Sequence, residues 1–325
     1  MTAFSILDLA TVVEGGDAAR ALAETTQMAR AADDLGLRRF WVAEHHGMPG
    51  VASSAPAVVL AHLGAATTSI RIGSGGVMLP NHAPLVIAEQ FGTLEALHPG
   101  RVDLGIGRAP GTDVKTARAL GRANANDFPE QVVELLRYFA GTAEQLAMPG
   151  RGATPEVWLL GSSLYSAQLA AMLGLPFGFA YHFSPEPMDE ALRLYRSRFT
   201  PSRFLAEPQV LVVASVLAAA TTEEAEFRAG AGRLAMLQLR QGRPGPLPSP
   251  EVAAAYSYSD DERAEIARAA SSQIVGDAGT VASGLTALLD RTDADEIMLS
   301  IRAFELEHRL ESMRLSVAAI GAPQV

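Results

Sequence analysis

Cysteine is absent from all 325 residues, which removes disulfides, thiolate metal sites and cysteine nucleophiles from consideration and leaves nothing to be lost in a reducing compartment. Long apolar runs are missing too, since none reaches the roughly 18 to 20 residues that span a bilayer. Positive charge is in deficit: 26 Lys and Arg against 36 Asp and Glu give a formal net charge of −10. Such a field repels phosphate backbones and anionic lipid, so neither nucleic acid nor a membrane is an expected partner. The opening residues lack a basic stretch and run into Asp8 and Glu14 too early for a signal peptide, and a cytoplasmic protein is expected. No Gly-x-Ser-x-Gly elbow stands where a strand meets a helix, which argues against a serine hydrolase.

What is present is apolar material. Hydrophobic residues make up 48% of the chain and charged ones 19%, enough for a large packed core. The length suits one (β/α)8-barrel domain over 1–325. Short apolar runs alternate with stretches of helical periodicity. Strands are expected at Phe4–Leu7, Arg39–Ala43, Ile70–Gly73, Arg101–Leu104, Val157–Leu160, Phe177–Ala180, Gln209–Val216 and Glu296–Ser300. Helices are expected over 17–35, 55–66 and 222–240. Val157-Trp158-Leu159-Leu160 is apolar on both faces, as in a parallel strand covered by helices. Periodicity alone leaves a closed barrel and an open doubly wound sheet equally open. Two connections depart from the pattern: a Gly/Pro-rich loop over 141–155, inserted after the fourth strand, and a segment after the seventh that carries four prolines within 241–250. The second is expected to be an irregular, mobile lid.

In a parallel barrel the loops past the strand C-termini build the active site. Glu44-His45-His46 follows the second strand and suits general acid–base chemistry or cofactor contact. A zinc site there would need further ligands from His82 or His182 and an open position for water, and no metal is expected. Gly75 and Gly76 come at the tip of the third strand, where bare backbone lets a flat ligand or another strand approach; a plain tight turn is the alternative. Arg108 stands among small residues after the fourth strand, placed either to grip a phosphate or to pair with Asp103 or Asp113. The surrounding glycines lack the spacing of a dinucleotide fingerprint. Gly161-Ser162-Ser163-Leu164-Tyr165-Ser166 opens a helix; serine there caps the helix, or leaves its N–H groups and positive dipole end to an anion. With Arg108 after the neighbouring strand, the two together can form a phosphate site.

At these residues the chain resembles the bacterial luciferase-like monooxygenase family, in its single-subunit branch. The matching stretches are Trp41 to His46, Gly73 to His82, Pro99 to Gly111, Val157 to Ala170 and Thr292 to Met298, and the likeness extends over nearly the whole chain. It implies a (β/α)8 barrel. It implies that His45 lies near the flavin C4a position, and that Gly75-Gly76 corresponds to a pair often joined by a non-prolyl cis peptide against the isoalloxazine ring. It further implies that Arg108 contacts the FMN phosphate, with Gly161, Ser162, Ser163 and Ser166 holding that phosphate and flanking the ring. The reactive cysteine of the luciferases is missing and their Ala-Ala pair is Gly-Gly here, so light emission is not implied. The expected function is a monooxygenase using reduced FMN and dioxygen on a small organic substrate, with a separate flavin reductase as electron donor and a homodimeric assembly. A deazaflavin-dependent hydride transferase and a non-catalytic flavin-binding protein are the alternatives.

Overall fold

A computed structural model of the chain describes residues 3–121, 124–319 and 321. Nine strands form its sheet: β1 (Ala3–Asp8), β2 (Arg39–Val42), β3 (Arg71–Met78), β4 (Val102–Gly107), β5 (Glu156–Gly161), β6 (Phe177–Phe179), β7 (Val210–Ala218), β8 (Ile274–Gly276) and β9 (Glu296–Ser300). Every pairing is parallel, and each of eight strands has two neighbours: β1 lies between β2 and β9, and β6 pairs with β7, which pairs with β9. The ring is therefore closed, with helices between its strands, and the open-sheet alternative is excluded. β8 lies outside it, against the C-terminal end of β7, where Val216 stands opposite Ile274.

The two-sided apolar character of the strands has two destinations. Outward residues such as Ile6, Phe40, Ile72, Leu104 and Ile297 pack with the helices in one continuous core. Leu7, Trp41, Trp158, Leu211, Val213 and Met298, all from strands, fill a separate cluster inside the ring. The N-terminal ends of the strands are closed by a buried ion network. Arg39 donates to Glu296 and Asp103, each at 2.9 Å, and its guanidinium lies 4.8 Å from the Trp158 ring centre. Asp103 also accepts from Arg71 and from Trp41 Nε1. This end is sealed, which leaves the opposite end to function.

The helices at Ala18–Asp34, Pro56–Ala66 and Thr222–Arg240 fall where the sequence places them. The expected ends of β3 and β4, Gly73 and Leu104, are overrun to Met78 and Gly107. β3 continues through Ser74, Gly75 and Gly76, so these residues lie within the strand, at a register shift between Gly75 and Val77, and not in a turn past it. A Cβ at Gly75 would lie 2.6 Å from Leu7 Cδ1, and one at Gly76 2.7 Å from the Gly105 carbonyl oxygen. The barrel interior itself thus demands both glycines. The Gly75–Gly76 bond is cis.

Residues 141–155 are irregular, with a second cis bond at Met148–Pro149. The connection after β7 is more ordered than its prolines suggest. It contains short helices at Pro250–Ala255 and Asp260–Ala270 and then β8. Leu247, between Pro246 and Pro248, forms a parallel bridge with Val13, donating to the Val12 carbonyl and accepting from Glu14 N–H, both at 2.8 Å. Leu247 keeps an amide between its two prolines, and that amide serves the ladder.

Candidate functional site

The mouth is organised around Glu44, fully buried just past β2. Its Oε1 accepts from His46 Nε2 at 2.8 Å and His82 Nε2 at 2.9 Å, and its Oε2 accepts from the Met78 amide at 3.1 Å. Burial works against the charge, but the bonds from His82 and His46 outweigh it and hold the carboxyl below its ordinary pKa. The glutamate therefore stays anionic and ties the loops after β2 and β3 together. The ligating atoms of Glu44, His46 and His82 lie within 4.8 Å of one another. Because both imidazoles turn an N–H toward the carboxylate, a metal would have to displace two charge-assisted hydrogen bonds.

Between these anchored residues stands His45. Its Nδ1 lies 3.2 Å from the Gly111 carbonyl oxygen. A carbonyl can only accept, so Nδ1 carries the proton and Nε2 keeps its lone pair. Gly111 is required at this contact: its φ is +62°, and a Cβ would come within 2.9 Å of the Glu44 carbonyl oxygen. Burial first, then the Arg302 guanidinium, push the His45 pKa down against the pull of the Gly111 carbonyl. A neutral imidazole near neutrality is the form able to take up a proton.

His182, past β6, shares Arg302 with His45 as a charged neighbour and is itself coupled to His45. Burial and Arg302 lower its pKa to about 4, and the nearby Val213 carbonyl offsets only part of this. His45, His182 and Arg302 thus form one cluster, fed by the ends of β2, β6 and β9.

A second cluster lies past β4 and β5. The Arg108 guanidinium sits over the Tyr165 ring, 4.2 Å from its centre. Tyr165 belongs to the first turn of the helix Leu164–Leu173. Ser163 occupies the N-cap position with extended backbone, yet its side chain makes no capping bond. Capping alone therefore does not account for the serine, and the N-terminal amides of this ten-residue helix are left to another acceptor. Gly161 lets the helix fold back on β5, since a Cβ there would lie 2.2 Å from Ser166 Oγ. The other reading of Arg108, pairing with Asp103 or Asp113, finds Asp103 engaged by Arg39, Arg71 and Trp41 near the sealed end, and Asp113 capping a short helix.

The structure thus sets His45 in one cluster and Arg108 with Gly161, Ser162, Ser163 and Ser166 in the other, with Gly75 and Gly76 on β3. Glu44 and His182 enter the sequence reading only with the histidine motif and as a possible metal ligand, Tyr165 only within the helix-start segment, and Arg302 not at all. Position past a strand end was the signal available for each of them.

The luciferase-like monooxygenase family matches this chain over residues 2–296. A luciferase-like monooxygenase of Escherichia coli K12 is 47% identical over 321 residues, which are 97% of this chain and 96% of that protein. Among solved structures, apo-MsnO8 aligns with a TM-score of 0.90 at 33% identity over the whole of both chains. The oxygenating constituent of 3,6-diketocamphane monooxygenase from Pseudomonas putida, a type II Baeyer–Villiger monooxygenase in complex with FMN, aligns over the whole of both chains at 17% identity and a TM-score of 0.73.

Proposed function

Because the chain belongs to the luciferase-like monooxygenase family, we propose that it binds reduced FMN and uses it with dioxygen to oxygenate a small organic molecule, the reduced flavin being delivered by a separate reductase. The observation that carries this reading is Arg108 stacked on Tyr165 at the start of a helix whose N-cap serine makes no capping bond. A fixed guanidinium, several hydroxyls and unclaimed helix amides are the donor set of a phosphate monoester. The FMN complex of the diketocamphane enzyme, which shares the fold, is consistent with it.

Arg108, Ser162, Ser163 and Ser166 hold the phosphate in this reading and fix the register of the flavin across the mouth. Gly75 and Gly76 present bare backbone to the ring system. Reduced FMN, when bound, supplies the electrons that activate dioxygen, one atom going to the substrate and the other leaving as water. His45 holds a lone pair at Nε2, oriented by the Gly111 carbonyl, and moves a proton at the reacting end of the ring. The hydrogen-bonded loops around Glu44 keep bulk water from that end.

Anaerobic equilibrium titration with reduced FMN and with the deazaflavin coenzyme F420 tests the reading. Reduced FMN should bind at least about tenfold more tightly. Preference for F420 by the same factor would replace oxygen chemistry with hydride transfer, and binding of neither would remove the flavin reading.

A further inference from the structure

Between the barrel mouth and the helices of the insertion lies a cavity of about 240 Å³. Its deep wall carries His182, Arg302 and the cross-strand pair Ser215 and Ser300 on β7 and β9. Arg302 has no hydrogen-bond or ion-pair partner among the described residues, and burial lowers its pKa with no carboxylate acting to restore it. His182 Nδ1 is likewise buried without a hydrogen-bond partner. Elsewhere in the cavity Arg233 pairs with Glu226 at 2.5 Å and Arg240 with Glu265 at 3.2 Å, while Arg268 and Glu186 line it without an ion pair among the described residues. The lining holds four arginines against two glutamates in a chain of net charge −10.

Arg302 is also given room. A Cβ at Gly232, on the helix Thr222–Arg240, would come within 3.2 Å of Arg302 Cδ, so the glycine lets the helix lie directly on the arginine's stem. A desolvated guanidinium without a counter-charge is costly, and an anion entering from solvent would complete it. The guanidinium is a rigid fork that matches the two oxygens of a carboxylate. Phe183, Met236 and Leu237 give the same cavity an apolar side.

We propose that this cavity receives the substrate and that the substrate is a small organic carboxylate, its anionic head gripped by Arg302 with the Ser215 and Ser300 hydroxyls and its apolar body against Phe183 and Met236. The proposal rests on the flavin monooxygenase reading, since it takes the cavity lined by His182 and Arg302, the electrostatic neighbours of His45, as the substrate's place. A carboxylate there sets the reacting carbon at a fixed distance from its charged end, so regiochemistry follows from the length between them.

Isothermal titration of the full chain with hexanoate, hexan-1-ol and hexylamine, with and without FMN, tests this directly. Hexanoate should bind at least about tenfold more tightly than the alcohol, and the amine not measurably. Arg302→Met should weaken hexanoate by about tenfold or more and leave hexan-1-ol unchanged. Arg302→Lys, which keeps the charge but loses the fork, should recover part of the affinity, and Gly232→Ala, which crowds the stem, should weaken hexanoate. Equal binding of hexanoate and the alcohol, no binding of hexanoate, or an Arg302→Met variant with unchanged hexanoate affinity would each overturn the proposal. FMN titrated against the same proteins separates the two readings. If FMN binds and hexanoate does not, the substrate inference alone fails; if FMN does not bind the wild type, the flavin reading fails. If Arg302→Met weakens FMN but not hexanoate, the guanidinium serves the flavin and the proposal is wrong.

Discussion

Lowering the pH from 7.5 to 5 should destabilise the native protein through His182 by about 2 kcal/mol. The folded imidazole has its pKa lowered from 6.5 to about 4. The unfolded chain therefore binds the proton more readily than the folded one, and this contribution to stability is complete above pH 6.5 and lost as the pH falls toward 4. At about 1.36 kcal/mol per pKa unit the full loss is about 3 kcal/mol, of which about 2 kcal/mol is reached by pH 5. Single domains are stable by only about 5 to 15 kcal/mol, so the change is readily measured. His182→Gln removes the titrating ring and keeps a polar side chain. Equilibrium urea unfolding of wild type and variant at pH 7.5 and 5 isolates the contribution, because His45, shifted in the same direction, and every other group act in both proteins. The wild type should lose about 2 kcal/mol more than the variant over this interval. Parallel losses would mean that His182 titrates normally, and the picture of a dry, cationic cluster around Arg302 would go with it.

Other perturbations reach different parts of the mouth. His45→Ala should leave FMN affinity within about twofold and lower the rate of flavin-dependent oxidation by about 100-fold, the usual scale for a positioned acid or base; an unchanged rate in stopped-flow mixing with oxygen would deny it that role. Glu44→Gln should cost about 2 to 4 kcal/mol by thermal unfolding, because it weakens the charge-assisted bonds from His46 and His82 at 2.8 and 2.9 Å, and a change under about 0.5 kcal/mol would show that Glu44 does not organise the loops. In the segment 241–250, amide exchange should be slow at Leu247, whose N–H bonds to Val12 at 2.8 Å, and at Gly242 and Arg243, whose N–H groups bond back to the helix at 3.0 and 2.9 Å, and fast at Gly245 between these anchors; slow exchange at Gly245 too would remove the lid. A homodimer is expected in light scattering at micromolar concentration, and a monomer alone would contradict it.

Much of the barrel was legible because its strands are short apolar runs separated by long helical periods, and β9 falls at Glu296–Ser300 in both sequence pattern and structure. The pattern misplaced the ends of β3 and β4 because glycine punctuates loops as a rule, whereas Gly75, Gly76, Gly105 and Gly107 lie inside strands. At the first three a Cβ would crowd neighbouring atoms, as at Gly76 against the Gly105 carbonyl. That requirement belongs to the closed ring and is invisible along the chain. His45, Arg108 and the serine-rich helix start could be read from their place past strand ends. Arg302 and His182 also lie past strand ends, but what sets them apart is relational: the absence of a counter-charge or hydrogen-bond partner among the described residues. The insertion after β7 was read from its prolines alone, and the helices beyond them and β8 went unnoticed.

The central claim is that Arg108 and the helix start at Ser162, Ser163 and Ser166 hold the phosphate of FMN. Equilibrium titration of FMN and of riboflavin, which carries no phosphate, against the wild type and Arg108→Ala tests it most directly. One charge-assisted hydrogen bond is worth roughly 1.5 to 3 kcal/mol, so the variant should bind FMN at least about tenfold more weakly and riboflavin almost unchanged. Equal weakening of the two ligands would contradict the assignment and return Arg108 to a structural role on Tyr165.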